Sequence, residues 1–286
     1  MRSYCVRSIR LLSLLFVCLS LSQLPVAAAD QVLVGASGMK GIQLDTWASG
    51  EIPSIAEGQA LRLSRLHFDP CTGVVLHNNG GATLIYAESS SVRYAYQGGE
   101  SYPNTELAQG QAIIAQPGDF LTIINPMVDP AFSVDLLILS VTEGDSSVDV
   151  PMIPQFEFPD DSACNGINAK GLVTPTILGD GHASESGDTL YLGSAFFFPG
   201  STTAGWGLIN PGSSFNMVIL TGGMGVAGPN SGRAAYIGPG GVQHDVHLGD
   251  DSQIGSFPFV NDGPAPVIGL VFGTVRAGDS VWMPAG

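Results

Sequence analysis

Apolar residues along this chain come in runs of four to eight that stop at Gly, Pro, Asn or Asp, as at 61–68, 83–87, 112–115, 120–124 and 134–141. Later runs at 189–198, 215–220, 234–237 and 267–275 follow the same rule. Short runs closed by turn formers predict β-strands, and beyond the N-terminus no segment keeps a helical period. The expected fold class is therefore all-β.

The N-terminus reads differently. Arg2, Arg7 and Arg10 precede an apolar stretch at 11–21, and Pro25-Val26-Ala27-Ala28-Ala29 offers small residues before a cut ahead of Asp30. That is the pattern of a secretory signal peptide at 1–29, and its apolar core is too short to span a bilayer comfortably. An exported protein is expected, secreted or periplasmic. After cleavage seven basic side chains face 25 acidic ones, a net charge of −18. Such a charge repels phosphate backbones and anionic lipid, so neither nucleic acid nor a membrane surface is an expected partner. Only Cys71 and Cys164 remain, and an even pair in an oxidising compartment predicts one disulfide between them. Gly (38) and Pro (19) are abundant while apolar content stays at 44%, which fits many short strands and turns rather than disorder.

The strands repeat. Pro130-Ala131, the run 134–141 and Gly144-Asp145 match Pro264-Ala265, the run 267–275 and Gly278-Asp279 at a spacing of 134. Leu136 then matches Leu270 and Val141 matches Val275. Upstream, 61–68 entering Pro70 matches 190–197 entering Pro199 at a spacing of 129. Two blocks in one order argue for duplication. The expected organisation is an N-terminal barrel at 30–145, a Pro/Asp-rich linker at 146–186 lying over the surface, and a C-terminal barrel at 187–286. A Cys71–Cys164 bond would pin that linker to the first barrel.

The stretch 68–86, with Pro70-Cys71 and then His77-Asn78-Asn79 ahead of Thr83 and Tyr86, resembles the first motif of the cupin superfamily. Pro117-Gly118-Asp119 through Asp129 resembles the second motif, and 91–111 resembles the hairpin between motifs in exported bacterial cupins. In the second copy, Pro199-Gly200 through Trp206 and the turn 237–244 ending at His244 repeat the resemblance. It implies two tandem antiparallel jelly-roll barrels. It also implies a metal held by three His and one Glu at a barrel mouth. Carried over residue by residue, the first copy offers His77, Asn79, Thr83 and Asp129, and the second offers Gly207, Ile209, Ser213 and His244. The family's ligand set is thus largely missing, and no cofactor is expected beyond a weakly bound divalent metal at His77 and Asp129.

Other patterns add little. His244 and His247 are three apart and would point to opposite faces of a strand. Gly222-Gly223-Met224-Gly225 follows a strand and precedes no helix, so it reads as a hairpin turn rather than a phosphate loop. His182 falls in the linker, and His67 reads as a satisfied sheet histidine. Trp206 is the tryptophan best placed to stack on a sugar ring.

Three functions remain in view. The leading one is an exported cupin-like protein that binds a small polar ligand, such as a carbohydrate, in the N-terminal barrel through His77, Asn79, Thr83, Tyr86 and Asp129, with Trp206 and His244 in the second copy. The alternative is a metal-dependent dioxygenase, isomerase or lyase. The third is a structural surface protein. The residues leave enzyme status open. A monomer or homodimer fits each.

Overall fold

In the computed structural model the described residues are 41–281, except 54, 56–58, 79–80, 97–102, 130, 144–162, 165–171, 185–186, 202–212, 228–232, 238, 240–241, 244–258 and 280. The proposed signal peptide lies outside them. Among these described residues seventeen strands follow in order. They are β1 (Ile42–Glu51), β2 (Gln59–Phe68), β3 (Thr72–His77), β4 (Thr83–Ala87), β5 (Val92–Tyr96), β6 (Thr105–Leu107), β7 (Ala112–Ala115), β8 (Phe120–Asn125) and β9 (Val134–Glu143). Then come β10 (Val173–His182), β11 (Thr189–Phe197), β12 (Asn216–Thr221), β13 (Met224–Ala227), β14 (Arg233–Ile237), β15 (Val242–Gln243), β16 (Phe259–Val260) and β17 (Val267–Val275). Every recorded strand pairing is antiparallel.

The first half forms a sheet in the order β2-β9-β4-β7 and a facing sheet in the order β3-β8-β5-β6. The chain passes back and forth between the two, which is jelly-roll connectivity. The second half repeats it, with β11-β17-β12-β15 in one sheet and β14-β13-β16 in the other. The fold is two tandem jelly-roll barrels, as expected.

Three apolar cores alternate with the sheets. Leu66, Phe68, Leu121, Ile123, Leu136 and Ile138 fill the first barrel. Tyr191, Phe197, Phe215, Met217 and Val271 fill the second. Between the barrels Leu61, Leu63, Leu84, Leu137 and Leu139 pack against Leu190, Leu192, Val218, Leu270 and Phe272. The central strands β9 and β17 are therefore buried on both faces. Their near-continuous apolar sequences, in place of simple alternation, follow from that.

The halves exchange strands. β1, which precedes the first barrel, pairs with β11 of the second. β10, which lies within the expected linker, pairs with β2 of the first. The linker is thus not wholly an overlying segment, because residues 173–182 close a sheet edge. Each exchanged strand carries a bulge near its middle, between Thr46 and Ala48 and between Ile177 and Gly179. A bulge's extra residue shifts the alternation of faces. Ile42 and Leu44 accordingly face the second barrel's core, while Trp47 and Ala48 face the core between barrels.

The same asparagine device closes both barrels. Asn125, fully buried, donates through Nδ2 to the carbonyls of Phe132 at 2.9 Å and Asp69 at 3.2 Å, and accepts from Met127 N at 3.1 Å. Asn261, also fully buried, donates to Phe197 O at 2.7 Å and Ala265 O at 2.9 Å, and accepts from Gly263 N at 3.1 Å. Next to these staples the backbone turns through positive φ, at Gly200 (79°) in the second copy and at Cys71 (52°) in the first. A non-glycine residue there costs roughly 1–2 kcal/mol. Cys71 is bonded to Cys164 with Cα atoms 5.4 Å apart, as the cysteine count predicts. The bond closes a sequence separation of 93, an upper stabilisation of about 4–5 kcal/mol in the chain-entropy model.

The face pattern corrects the repeat's register. At the sequence spacing of 134, Leu136 matches Leu270. Leu136 faces the first barrel's core, whereas Leu270 faces the core between barrels. Matching Val134 to Val267, each the first residue of its strand, is one residue shorter and puts like faces together. A strand slipped by one residue reverses every side chain, so identity counting at an even spacing chose the wrong face.

Strand exchange depends on glycine at the bulge. A Cβ on Gly193 would lie 2.0 Å from the carbonyl oxygen of Asp45, a backbone atom that cannot rotate away. Gly193→Ala is expected to detach β1 from β11 and to cost roughly 3 kcal/mol, read as a lower urea midpoint. An unchanged midpoint would show that β1 contributes little to the second sheet.

Candidate functional site

The interior-facing positions of the first barrel change character along the strands. Deep in the barrel, Phe68 pairs with Val134, and Leu66 with Leu136. One step outward, Ser64 pairs with Ile138, and Ile138 with Ile85. The next step is polar across four strands. Asp180 pairs with Arg62, Arg62 with Ser140, and Ser140 with Thr83. Side chains alternate across a strand, so these residues share the face carrying Leu66, Phe68, Leu136 and Ile85.

The row is hydrogen-bonded. Arg62 Nε donates to Asp180 Oδ1 at 2.5 Å. Thr83 Oγ1 lies 3.1 Å from Ser140 Oγ and 3.2 Å from Asn78 Oδ1. Asn78 Nδ2 donates to the carbonyls of Ala115 and Gln116, both at 3.1 Å. The Asn78 backbone N–H donates to Asp119 O, and Gly118 N donates to Asn78 O. Asn78 thus locks the end of β3 to the Pro117-Gly118-Asp119 turn and presents its side-chain oxygen to Thr83. Across the barrel, Leu76, Tyr94 and Tyr96 face the row from β3 and β5. Ser140, Arg62, Leu76 and Tyr94 are half-buried, whereas Ile85, Ile123 and Leu66 beneath them are fully buried. Among the described residues, exposure thus rises toward this end of the barrel. Tyr96 donates to Ile114 O at 2.9 Å, and burial, with Tyr94 and Asp119 adding, raises its phenol above the ordinary range.

Of the residues expected to line a pocket, Thr83 stands on the barrel's interior face, on the side of Ile85. His77 does not stand on it. Val74 and Leu76 are the β3 residues in the barrel core, so His77, one position on, faces outward. There it stacks on Phe120 with ring centroids 3.9 Å apart and planes 6° apart. The inward positions at the end of β3 are Leu76 and Asn78, one residue off the expected His77 and Asn79. Tyr86 lies three residues from Thr83 and so faces the core between barrels, where it stacks on Trp47 at 5.6 Å. Asp129 is exposed beyond the far end of β8, where it caps a turn by accepting from Ala131 N at 2.9 Å. His77 pairs with Phe120 and Thr72 with Asn125, so His77 and Asp129 sit at opposite ends of the β3–β8 ladder, roughly 16 Å long. Asn79, Trp206 and His244 lie outside the described residues.

These placements bear on the family's metal. His77 and Asp129 cannot share an ion, and the described interior positions at this end offer an amide, hydroxyls, phenols, a guanidinium and one carboxylate where imidazoles would be needed. Among the described residues no group of three His, Cys, Asp or Glu could hold a metal. The described donor set does not fit a metal of the cupin kind.

Among the described residues, the matching positions of the second barrel do not form a polar row. Leu61 and Leu63 correspond to Leu190 and Leu192 at the spacing of 129, which puts Tyr191 in the place of Arg62. Tyr191 is fully buried, pairs with Gly273, and donates to Ser214 O at 2.6 Å. Phe215 follows in the place of Thr83. The same strands therefore carry a polar mouth in one barrel and an aromatic plug in the other.

Sequence reading missed Arg62, Asn78, Ser140 and Asp180. The signal was present in Leu61-Arg62-Leu63-Ser64 and Leu139-Ser140-Val141-Thr142, where polar residues alternate with buried aliphatics. His67 is satisfied on the sheet surface as expected, with Nδ1 2.8 Å from Asp135 Oδ1. His182 is exposed, at the end of β10.

No family model and no curated protein sequence matches the chain. Solved structures overlap it loosely. The YhaK protein of Escherichia coli is 13% identical over 82% of this chain and 94% of that one, with a TM-score of 0.43. A Lactobacillus farciminis oxalate decarboxylase in a formate complex is 14% identical over 87% and 89%, with a TM-score of 0.44. Vicilin from Corylus avellana is 13% identical over 85% and 88%, with a TM-score of 0.41.

Burial first, and Glu88 second, raise the Tyr86 phenol above its ordinary value. The fold therefore favours its neutral form. The stabilisation is complete below the unfolded value, about pH 10, and is lost as pH rises through the folded one. Tyr86→Phe keeps the Trp47 stack and is expected to lose less stability than the parent between pH 8 and pH 11 in urea unfolding. Equal losses would count against it.

Proposed function

We propose that this is an exported protein of the cupin type that binds a small polar ligand, of the carbohydrate class, in the mouth of its N-terminal barrel, without metal-dependent catalysis. The single observation that supports this most is the asymmetry between the barrels. In one, Ser140, Thr83 and Asn78 form a hydrogen-bonded row beside the Arg62–Asp180 pair, above an apolar floor. In the other, Tyr191 and Phe215 fill the same places. A barrel of this size holds one small ligand, and a few convergent polar groups over an apolar base suit a sugar's hydroxyls and its C–H face. If the row served only to close the barrel, aromatic packing would do so without an ion pair, as Tyr191 and Phe215 do in the second copy. The proposal includes a leader at 1–29 and two barrels in one exported chain.

Thermal-shift measurements on the mature chain with a panel of neutral monosaccharides test the reading. At least one sugar is expected to raise Tm, and the shift is expected to survive EDTA. Thr83→Val and Ser140→Ala should each weaken that binding about tenfold, the effect of one lost hydrogen bond. A shift that EDTA abolishes would instead favour a metal-dependent site.

A further inference from the structure

Arg62 has no structural necessity that the rest of the row shares. The interior-facing strand positions of the first barrel carry this one arginine and no lysine, in a chain of net charge −15. Its side chain is only 15% exposed. Its one hydrogen bond among the described residues runs from Nε to Asp180, on the edge strand β10 and 52% exposed. Both Nη groups, four of the five guanidinium donors, have no hydrogen-bond partner among the described residues. Ser140 stands beside Arg62 in register, half-buried, with Thr83 next to it. Ser64, 5% exposed, stands one step deeper on the same face. A guanidinium held at Nε and open at Nη presents a fixed two-donor edge, whose partner is a planar carboxylate. The hydroxyls beside it match a ligand's own hydroxyl groups.

We infer that the ligand of the first barrel is a sugar acid, its carboxylate on the Nη edge of Arg62 and its hydroxyls on Ser140 and Thr83. The inference rests on the proposed ligand-binding mouth and names the class of its ligand. Asp180 positions the guanidinium. Its own negative charge opposes a second carboxylate nearby, so the pair sets a limit on affinity as well as an orientation.

Calorimetric titration of the mature chain with D-glucuronate, D-galacturonate and their neutral parents, glucose and galactose, decides the matter. At least one acid is expected to bind about tenfold or more tighter than its neutral parent, as a charge-assisted bidentate contact provides. Arg62→Gln is expected to remove that preference. Arg62→Gln could fail to fold, so Asp180→Asn is the second variant. It keeps an acceptor for Nε while removing the opposing charge, and acid affinity is expected to rise severalfold. A merely structural Arg62–Asp180 pair would give no such rise. Acid and neutral sugar binding equally, or acid affinity unchanged in Asp180→Asn, would overturn the inference. If in that case Ser140→Ala still weakens neutral-sugar binding, the ligand-binding mouth stands without its acid preference. If none of the four sugars binds, both readings fall.

Discussion

Everything in this molecule depends on two five-stranded sheets packed back to back. Each has to be apolar on both faces, because one face lines its own barrel and the other meets its partner across Leu61, Leu63, Leu137, Leu139, Leu190, Leu192 and Phe272. Neither sheet could stand in water alone with such a face uncovered. Exchange of β1 and β10 ties the arrangement together, since each sheet then ends on a strand supplied by the other half of the chain. Asn216 strengthens the tie. It is fully buried on β12, accepts from His182 N at 2.9 Å, and donates to His182 O at 3.0 Å, thereby holding the end of β10 from the other barrel's sheet. Gly181 leaves room for that amide, since a Cβ there would lie 2.5 Å from the Asn216 side chain.

That shared constraint explains how the two barrels can differ in their mouths. The face between the sheets is held to apolar residues in both copies. The deep barrel cores are likewise held, by Phe68 and Leu136 in one and Phe197 and Val271 in the other. The outermost interior positions diverge: in the second copy they join the barrel's apolar core, and in the first they do not. In the second copy they carry Tyr191, Gly273 and Phe215, with the tyrosine hydroxyl paid for by one short bond to Ser214 O. In the first they carry Arg62, Ser140 and Thr83, which need Asp180 and Asn78 to complete them. Asp180 arrives only through the exchanged strand β10. The same exchange that joins the sheets therefore also supplies the counter-charge at the polar mouth.

Much of the fold is legible in the sequence. Strand runs ending at Gly and Pro, the duplicated block, the Cys71–Cys164 pair and the Pro-led turn entering β3 all follow from local chemistry. The site is less legible, because it is a matter of parity. His77 draws attention as an imidazole, yet whether it or Asn78 faces inward turns on a single residue of register, which only the packing of Val74 and Leu76 fixes. The same slip separates the sequence match of Leu136 with Leu270 from the match by face. Tyr86 illustrates the converse: alternation from Thr83 alone assigns it to the opposite face. Strand exchange left almost no local trace. The segment 173–182 has Thr, Pro, Gly and Asp at most positions, and its place at an edge, where a proline and a bulge are tolerated, is set by β2 rather than by its own sequence.

The balance of polar groups then argues for accessible rather than sealed chemistry in the first barrel. Asn78 Oδ1 is a carbonyl oxygen and can only accept, and its Nδ2 is committed to Ala115 O and Gln116 O. Thr83 must supply the proton for that contact. Thr83 Oγ1 is also the donor in the 3.1 Å contact with Ser140 Oγ, and a hydroxyl has one proton, so its two bonds are made in alternation. Ser140 Oγ accepts there and keeps its own proton uncommitted among the described residues, and Arg62 with its Nη donors stands beside it in register. A cluster evolved only for closure would pair these groups with each other. In this barrel the Arg62 Nη groups and the Ser140 hydroxyl instead stand next to one another in register with no bond between them among the described residues, which is an arrangement a hydroxylated ligand can complete.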